Sequence, residues 1–183
     1  MSKNADYAIA LNISNVKPNE KTDERCSKFY GNPCLPESLL DKYSMDTVFF
    51  AQIRCKDLKE LDIENRLPHT GYLYFFLDAK NYPGDNLSII VDYCNEEQKY
   101  VIDDYNESSP IDEGLNVPFI IESLKVDADY DGTKLLGSPS GFVDENDDMP
   151  GLLLQYDPLD FDVKFLSSVD GYAYIYFGRN KKK

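Results

Sequence analysis

Three landmarks recur in the same order in the two halves of this chain, and such an order constrains the chain to build one unit twice. The first is K-x-x-G-x-P, spelled KFYGNP at Lys28 to Pro33 and KLLGSP at Lys134 to Pro139. The second is a glutamine in a short apolar stretch, Gln52 in TVFFAQI and Gln155 in LLLQ. The third is a glycine opening an aromatic run, Gly71 in GYLYFF and Gly171 in GYAYIYF. Gly31 and Gly137 lie 106 residues apart, the glutamines 103 and the later glycines 100. This slow drift is what loop-length changes in a duplicated unit produce. The expectation is an internal duplication with halves related by a pseudo-twofold axis.

The segments around the landmarks read as strands. Tyr7 to Ile13 reads as one strand, and Thr47 to Ile53, Tyr72 to Leu77 and Leu87 to Tyr93 are rich in β-branched and aromatic residues, which suit a pleated, half-buried surface. Val117 to Val126, Leu152 to Gln155 and Gly171 to Phe177 read likewise, and Leu159 to Phe165 alternates apolar with polar residues. Lys99 to Ile102 reads as a short strand entered through a turn. Helical expectations are few: a turn or two at Glu37 to Tyr43, and a short helix at Asp57 to Leu61 capped by Asp57. Both faces of the two glycine-led aromatic runs are largely apolar. Both are therefore expected as central strands covered on two sides. The K-x-x-G-x-P segments read as fixed turns, with glycine freeing the backbone and proline stiffening it.

A chain of 183 residues fits one domain and buries enough surface to fold without metal or disulfide. Its net charge of -14 repels a phosphate backbone over most of its surface, so no nucleic-acid partner is expected. A protein partner with a basic surface suits it. The amino terminus, MSKNADYAIALNI, lacks a signal-peptide pattern. No stretch approaches the roughly 18 apolar residues of a membrane span. The expected location is cytoplasmic, with no membrane association. Cys26, Cys34, Cys55 and Cys94 contain no C-x-x-C pair, which fits a reduced compartment and predicts neither zinc nor any other metal. No cofactor is expected.

Candidate chemistry is sparse. DADYDG at Asp127 to Gly132 resembles the start of a calcium loop, but Ser138 stands where that loop needs its bidentate glutamate. A solvated acidic loop is expected there, and another at Asp144, Glu145, Asp147 and Asp148. His69, the sole histidine, sits in the LPHTG turn without a second imidazole. No phosphate-cradling, dinucleotide, zinc-protease or nucleophile-elbow motif is present. Catalytic residues are therefore unknown. Gln52 and Gln155 lie in apolar contexts, where a buried amide must find partners. Each either bonds backbone groups of its own G-x-P turn or lines a pocket at the pseudo-twofold interface. Lys28 and Lys134 present ammonium groups on an acidic molecule. These four, Gln52, Gln155, Lys28 and Lys134, are the ligand-binding candidates.

The series SKFYGNPCLP, FFAQIRCKDL, LPHTGYLYFF, KLLGSP, GLLLQYD and DGYAYIYF resembles the YwqG-like family, also called DUF1963, over about Arg25 to Phe177. The leucine-proline-x-x-glycine run and the paired glutamines are its most specific marks. The resemblance implies bacterial proteins of undetermined function and an internally duplicated, strand-rich α+β fold. On that basis residues 1–183 form one domain, with repeat halves at about 25–80 and 131–178 and a strand-and-loop connector at 81–130. Family members more often carry two adjacent glycines where this chain has Tyr30-Gly31 and Leu136-Gly137. That departure argues against an essential backbone nest here. The resemblance implies no active site. The function expected is a non-catalytic protein-binding module; the alternative is a small-ligand binder or an enzyme using a cleft between the repeats.

Overall fold

The computed structural model describes residues 4–14, 23–42, 47–78, 88–107, 115–141, 150–161 and 171–178. Eleven strands run through them: β1 (Tyr7–Ile13), β2 (Lys28–Phe29), β3 (Cys34–Leu35), β4 (Thr47–Arg54), β5 (Tyr72–Asp78), β6 (Ser88–Cys94), β7 (Tyr100–Val101), β8 (Phe119–Asp127), β9 (Lys134–Leu136), β10 (Leu152–Tyr156) and β11 (Ala173–Tyr176). Nine form one antiparallel sheet in the order β11-β10-β9-β1-β8-β2-β4-β5-β6, and β3 pairs with β7 outside it. The sheet curls into a nearly closed barrel.

The expected α+β class is overturned. Among the described residues the only helical elements are single 3-10 turns, at Glu37–Leu39, Cys55–Asp57 and Pro158–Asp160. The physical reason is length. Isolated helices need roughly 12–15 residues to hold themselves, and these segments are short connections between strands. The alternation expected over Leu159 to Phe165 gives way to the last of these turns, where Asp157 caps Leu159 at 2.9 Å. Residues 162–165 lie outside the described set, as do the Pro83-Gly84 turn, the acidic residues 144–148 and the basic tail 181–183.

The K-x-x-G-x-P segments are strand first and turn second. β2 and β9 open them, and the chain then takes two successive left-handed residues: Tyr30 (φ 55°) and Gly31 (φ 70°), and Leu136 (φ 61°) and Gly137 (φ 77°). The left-handed region costs a non-glycine residue about 1–2 kcal/mol. Tyr30 and Leu136 hold it because their side chains are locked in the core. The glycines have no such freedom to vary: a Cβ on Gly137 would lie 2.5 Å from the Ala128 carbonyl, and one on Gly31 2.7 Å from Pro118.

Each glutamine strand carries a bulge, between Phe49 and Ala51 in β4 and between Leu152 and Leu154 in β10. The extra residue lets Phe50 and Ala51, and likewise Leu153 and Leu154, both pack in the interior. The next residues, Gln52 and Gln155, are thereby turned to the outer face.

The barrel interior is apolar and aromatic. Phe29, Tyr30, Phe50, Tyr156 and Phe161 form one ring cluster, with Tyr156 and Phe161 stacked at 5.0 Å. A second cluster lies outside the sheet, where Tyr72, Tyr74 and Phe76 of β5 pack with Phe49 beneath Leu35 and Leu39. β5 thus has neighbours on both sides, β4 and β6, as its two apolar faces predicted. Among the described residues β11 ends the sheet order. β1 lies between β8 and β9, so the amino-terminal strand closes the run that ends in β11.

Candidate functional site

Two buried polar brackets dominate the outer face. Gln52 lies opposite Lys28 and Tyr74, and Gln155 opposite Lys134 and Tyr174. The Gln52 amide donates to the carbonyls of Glu24 (2.8 Å) and Cys26 (2.9 Å) and accepts from Cys34 N–H at 2.9 Å. The Gln155 amide donates to the Gly132 carbonyl and the Ser140 hydroxyl, each at 3.0 Å, and accepts from Ser140 N–H at 2.7 Å. Tyr74 donates to the Cys34 carbonyl at 2.8 Å, and Tyr174 donates to the Ser140 carbonyl. One turn of the ladder away, Tyr72 donates to the Arg25 carbonyl at 2.8 Å and Tyr172 to the Asp131 carboxylate at 2.7 Å. Each acceptor sits at the same distance in sequence from its bracket's lysine.

All four ligand-binding candidates, Gln52, Gln155, Lys28 and Lys134, are fully buried. The Lys28 ammonium pairs with Glu24. Lys134 donates to the carbonyls of Ala128 (3.1 Å) and Tyr130 (2.5 Å). Its ammonium thus holds two carbonyls of the DADYDG loop. Burial lowers the Lys134 pKa to about 8, against the pull of Asp131 and Asp129.

His69 has a partner that sequence reading missed. Its Nε2 lies 3.0 Å from Asp62, seven residues upstream. Asp62 is buried and also accepts from Tyr7 O–H, from Arg66 N–H at 3.0 Å and from Leu67 N–H at 2.7 Å. Burial alone would raise its carboxyl pKa; the hydrogen bonds outweigh burial and hold it below 3.8. This hub ties the turn before β5 to β1. The thiols of Cys26, Cys34 and Cys55 are all pushed up by burial, away from the reactive thiolate.

A cavity of about 230 Å³ opens where the two ends of the sheet approach each other. Phe50, Leu77 and Ile89 wall it from the β4-β5-β6 side, and Ala173 through Tyr176 from β11. None of the four candidates lines it. The alternation in GYAYIYF could have pointed to the inward residues Ala173 and Ile175. No residue pattern marks β11 as the strand at which, among the described residues, the sheet order ends.

Among the described residues no group of three or more His, Cys, Asp or Glu is placed to hold a metal. Among them, too, no helix is long and apolar enough to cross a membrane.

The fold and site thus define a strand-rich, barrel-like protein with two polar brackets and a seam cavity. The family model of the domain of unknown function DUF1963 matches residues 27–176. The chain belongs to that family, the YwqG-like family. No curated protein and no solved structure matches it.

Proposed function

We propose that the chain is a cytoplasmic, non-catalytic protein-binding module, descended from a duplicated half, whose seam receives an apolar side chain from a partner protein. The seam cavity carries this reading. Small-molecule sites usually span roughly 300–1,000 Å³, whereas about 230 Å³ suits a single large side chain. Such buried anchors dominate protein interfaces. Among the described residues the lining holds no carboxylate, imidazole, thiol or amine, which favours binding over proton transfer. The net charge of -14 favours a basic partner and disfavours nucleic acid. Four free cysteines suit a reducing compartment. The matched brackets and matched bulges support the duplication and its pseudo-twofold.

A small apolar ligand is the second reading, favoured by the same walls. Filling the cavity with Ala173→Phe tests both. Protein captured from source-cell lysate by the wild type and lost from a folded Ala173→Phe variant supports the first. Equal capture by both proteins overturns it. A melting-temperature rise with an apolar solute such as toluene, absent in the filled variant, favours the second.

A further inference from the structure

The two brackets differ in what covers them. Over the first, β7 lies along β3, pairing Cys34 with Val101 and Leu35 with Tyr100. Lys99 N–H donates to the Leu35 carbonyl at 3.1 Å, and Ile102 N–H to the Pro33 carbonyl at 3.0 Å. The Arg25 guanidinium donates to the Gln98 carbonyl at 3.1 Å, pinning the start of the covering segment. Under this layer Pro33, Cys34 and Leu35 are buried, as are the rings of Tyr72, Tyr74 and Phe76.

In the second bracket Pro139, Ser140 and Gly141 hold the corresponding places, counted from Lys134 as the others are from Lys28. Among the described residues no strand pairs with 139–141, and no hydrogen bond reaches the carbonyls of Pro139 and Gly141. Pro139 and Ser140 are half-buried and Gly141 is exposed. The rings of Tyr172, Tyr174 and Tyr176, spaced 6.1 and 6.3 Å apart, are half-buried too. Tyr174 and Tyr176 belong to the same strand that walls the seam cavity. Where the first bracket has Arg25, the second has Asp131, an exposed carboxylate held by Tyr172 at 2.7 Å. A group that donates to its covering segment is replaced by one that accepts.

We propose that an extended segment of a basic partner protein adds as a strand along Pro139–Gly141. Its N–H groups donate to the Pro139 carbonyl, as that of Ile102 donates to Pro33, and to the carbonyl of Gly141, where a left-handed residue (φ 75°) ends the paired stretch that Leu35 keeps extended on the first bracket. Its apolar side chains cover the tyrosine ladder, and a lysine or arginine meets Asp131. Main-chain bonds along an open backbone are the usual source of affinity in strand addition, with side-chain contacts setting specificity. Tyrosine faces beside a carboxylate also suit a guanidinium. The proposal rests on the protein-binding reading above and names the chemistry of that partner.

The probe is a synthetic decapeptide alternating arginine and leucine, followed by fluorescence anisotropy at about 0.15 M salt, where distant charges are screened. It should bind the wild type at least tenfold more tightly than the same peptide with glutamate for arginine. Asp131→Lys should weaken it at least tenfold. N-methylation of alternate peptide amides should abolish binding on one edge and spare it on the other. Indifference to N-methylation, or equal binding of the acidic peptide, overturns strand addition. If lysate capture is lost with Ala173→Phe but unmoved by Asp131→Lys, the seam reading survives and this one falls. If neither variant changes capture, both fall. A concentration-dependent dimer in sedimentation that Pro139–Gly141 contacts hold would make a second copy the occupant and would also overturn the basic partner.

Discussion

The hydroxyls of Tyr30 and Tyr156 meet at 2.7 Å inside the barrel, joining the first K-x-x-G-x-P turn to the strand that carries Gln155. Burial raises both phenol pKa values. Tyr30→Phe strands the Tyr156 hydroxyl and should cost about 1–3 kcal/mol, the usual penalty for a buried polar group robbed of its partner. Tyr30→Phe with Tyr156→Phe should recover much of that loss, since two apolar rings of like shape replace the pair. Urea unfolding of the wild type, both singles and the double checks this. Strictly additive losses would show that the two hydroxyls do not depend on each other.

The bracket amides make a parallel prediction. Gln52→Leu and Gln155→Leu each leave buried backbone groups unbonded and should lower stability by at least about 1–3 kcal/mol. Unchanged denaturation midpoints in both variants would show the amides to be dispensable.

Much of this arrangement was legible in the sequence. Tyr7–Ile13 emerges as a strand with the expected bounds. Gln52 and Gln155 stood out because an amide in an apolar run demands partners. What failed to show was anything set by register. The bulges that turn the glutamines outward follow from pairing, not from residue type. The short strands β2, β3 and β9 are too brief to carry a period. Asp62 and His69 lie seven residues apart, a separation that signals nothing until the turn folds them together. The seam lies where, among the described residues, the nine-stranded sheet ends at β11.

Asp62 should shape the acid limb of stability. Its carboxyl is held below 3.8 in the folded state, so its stabilising effect is present above the unfolded value and lost as pH falls through the folded one. Asp62→Asn should cost about 1.5–3 kcal/mol at neutral pH, the range for hydrogen bonds to a charged group. The variant should also lose stability less steeply than the wild type below about pH 4. Parallel acid limbs in thermal melts would exclude Asp62 as their source.

Lys134 should show the opposite dependence in alkali. Its pKa is lowered to about 8 from 10.5, so the folded chain binds fewer protons than the unfolded chain between those values. This group's contribution therefore rises across that window. The gap between the wild type and Lys134→Met should shift in favour of the wild type from pH 8 to 10, as calorimetry at several pH values would show. A gap constant with pH would mean that Lys134 titrates normally. Because the ammonium already holds the loop carbonyls, millimolar calcium should leave the wild-type melting temperature unmoved. A saturable rise of several degrees, abolished by Asp127→Ala with Asp129→Ala, would refute that.

β1 pairs Tyr7 with Asp127 on one side and Ala8 with Leu136 on the other. A ribosome makes this strand long before its neighbours β8 and β9. At about 5–20 residues per second, YAIALNI waits on the order of ten seconds before either edge can be satisfied. An uncharged strand with both edges open is a template for pairing with the wrong chain. The nascent protein should therefore depend on a chaperone that shields its first strand, and should fold late and nearly all at once. Arrest-peptide measurements of pulling force along the transcript should stay flat until Leu136 clears the exit tunnel. A strong force peak from shorter chains would show that an earlier segment folds without waiting for β1.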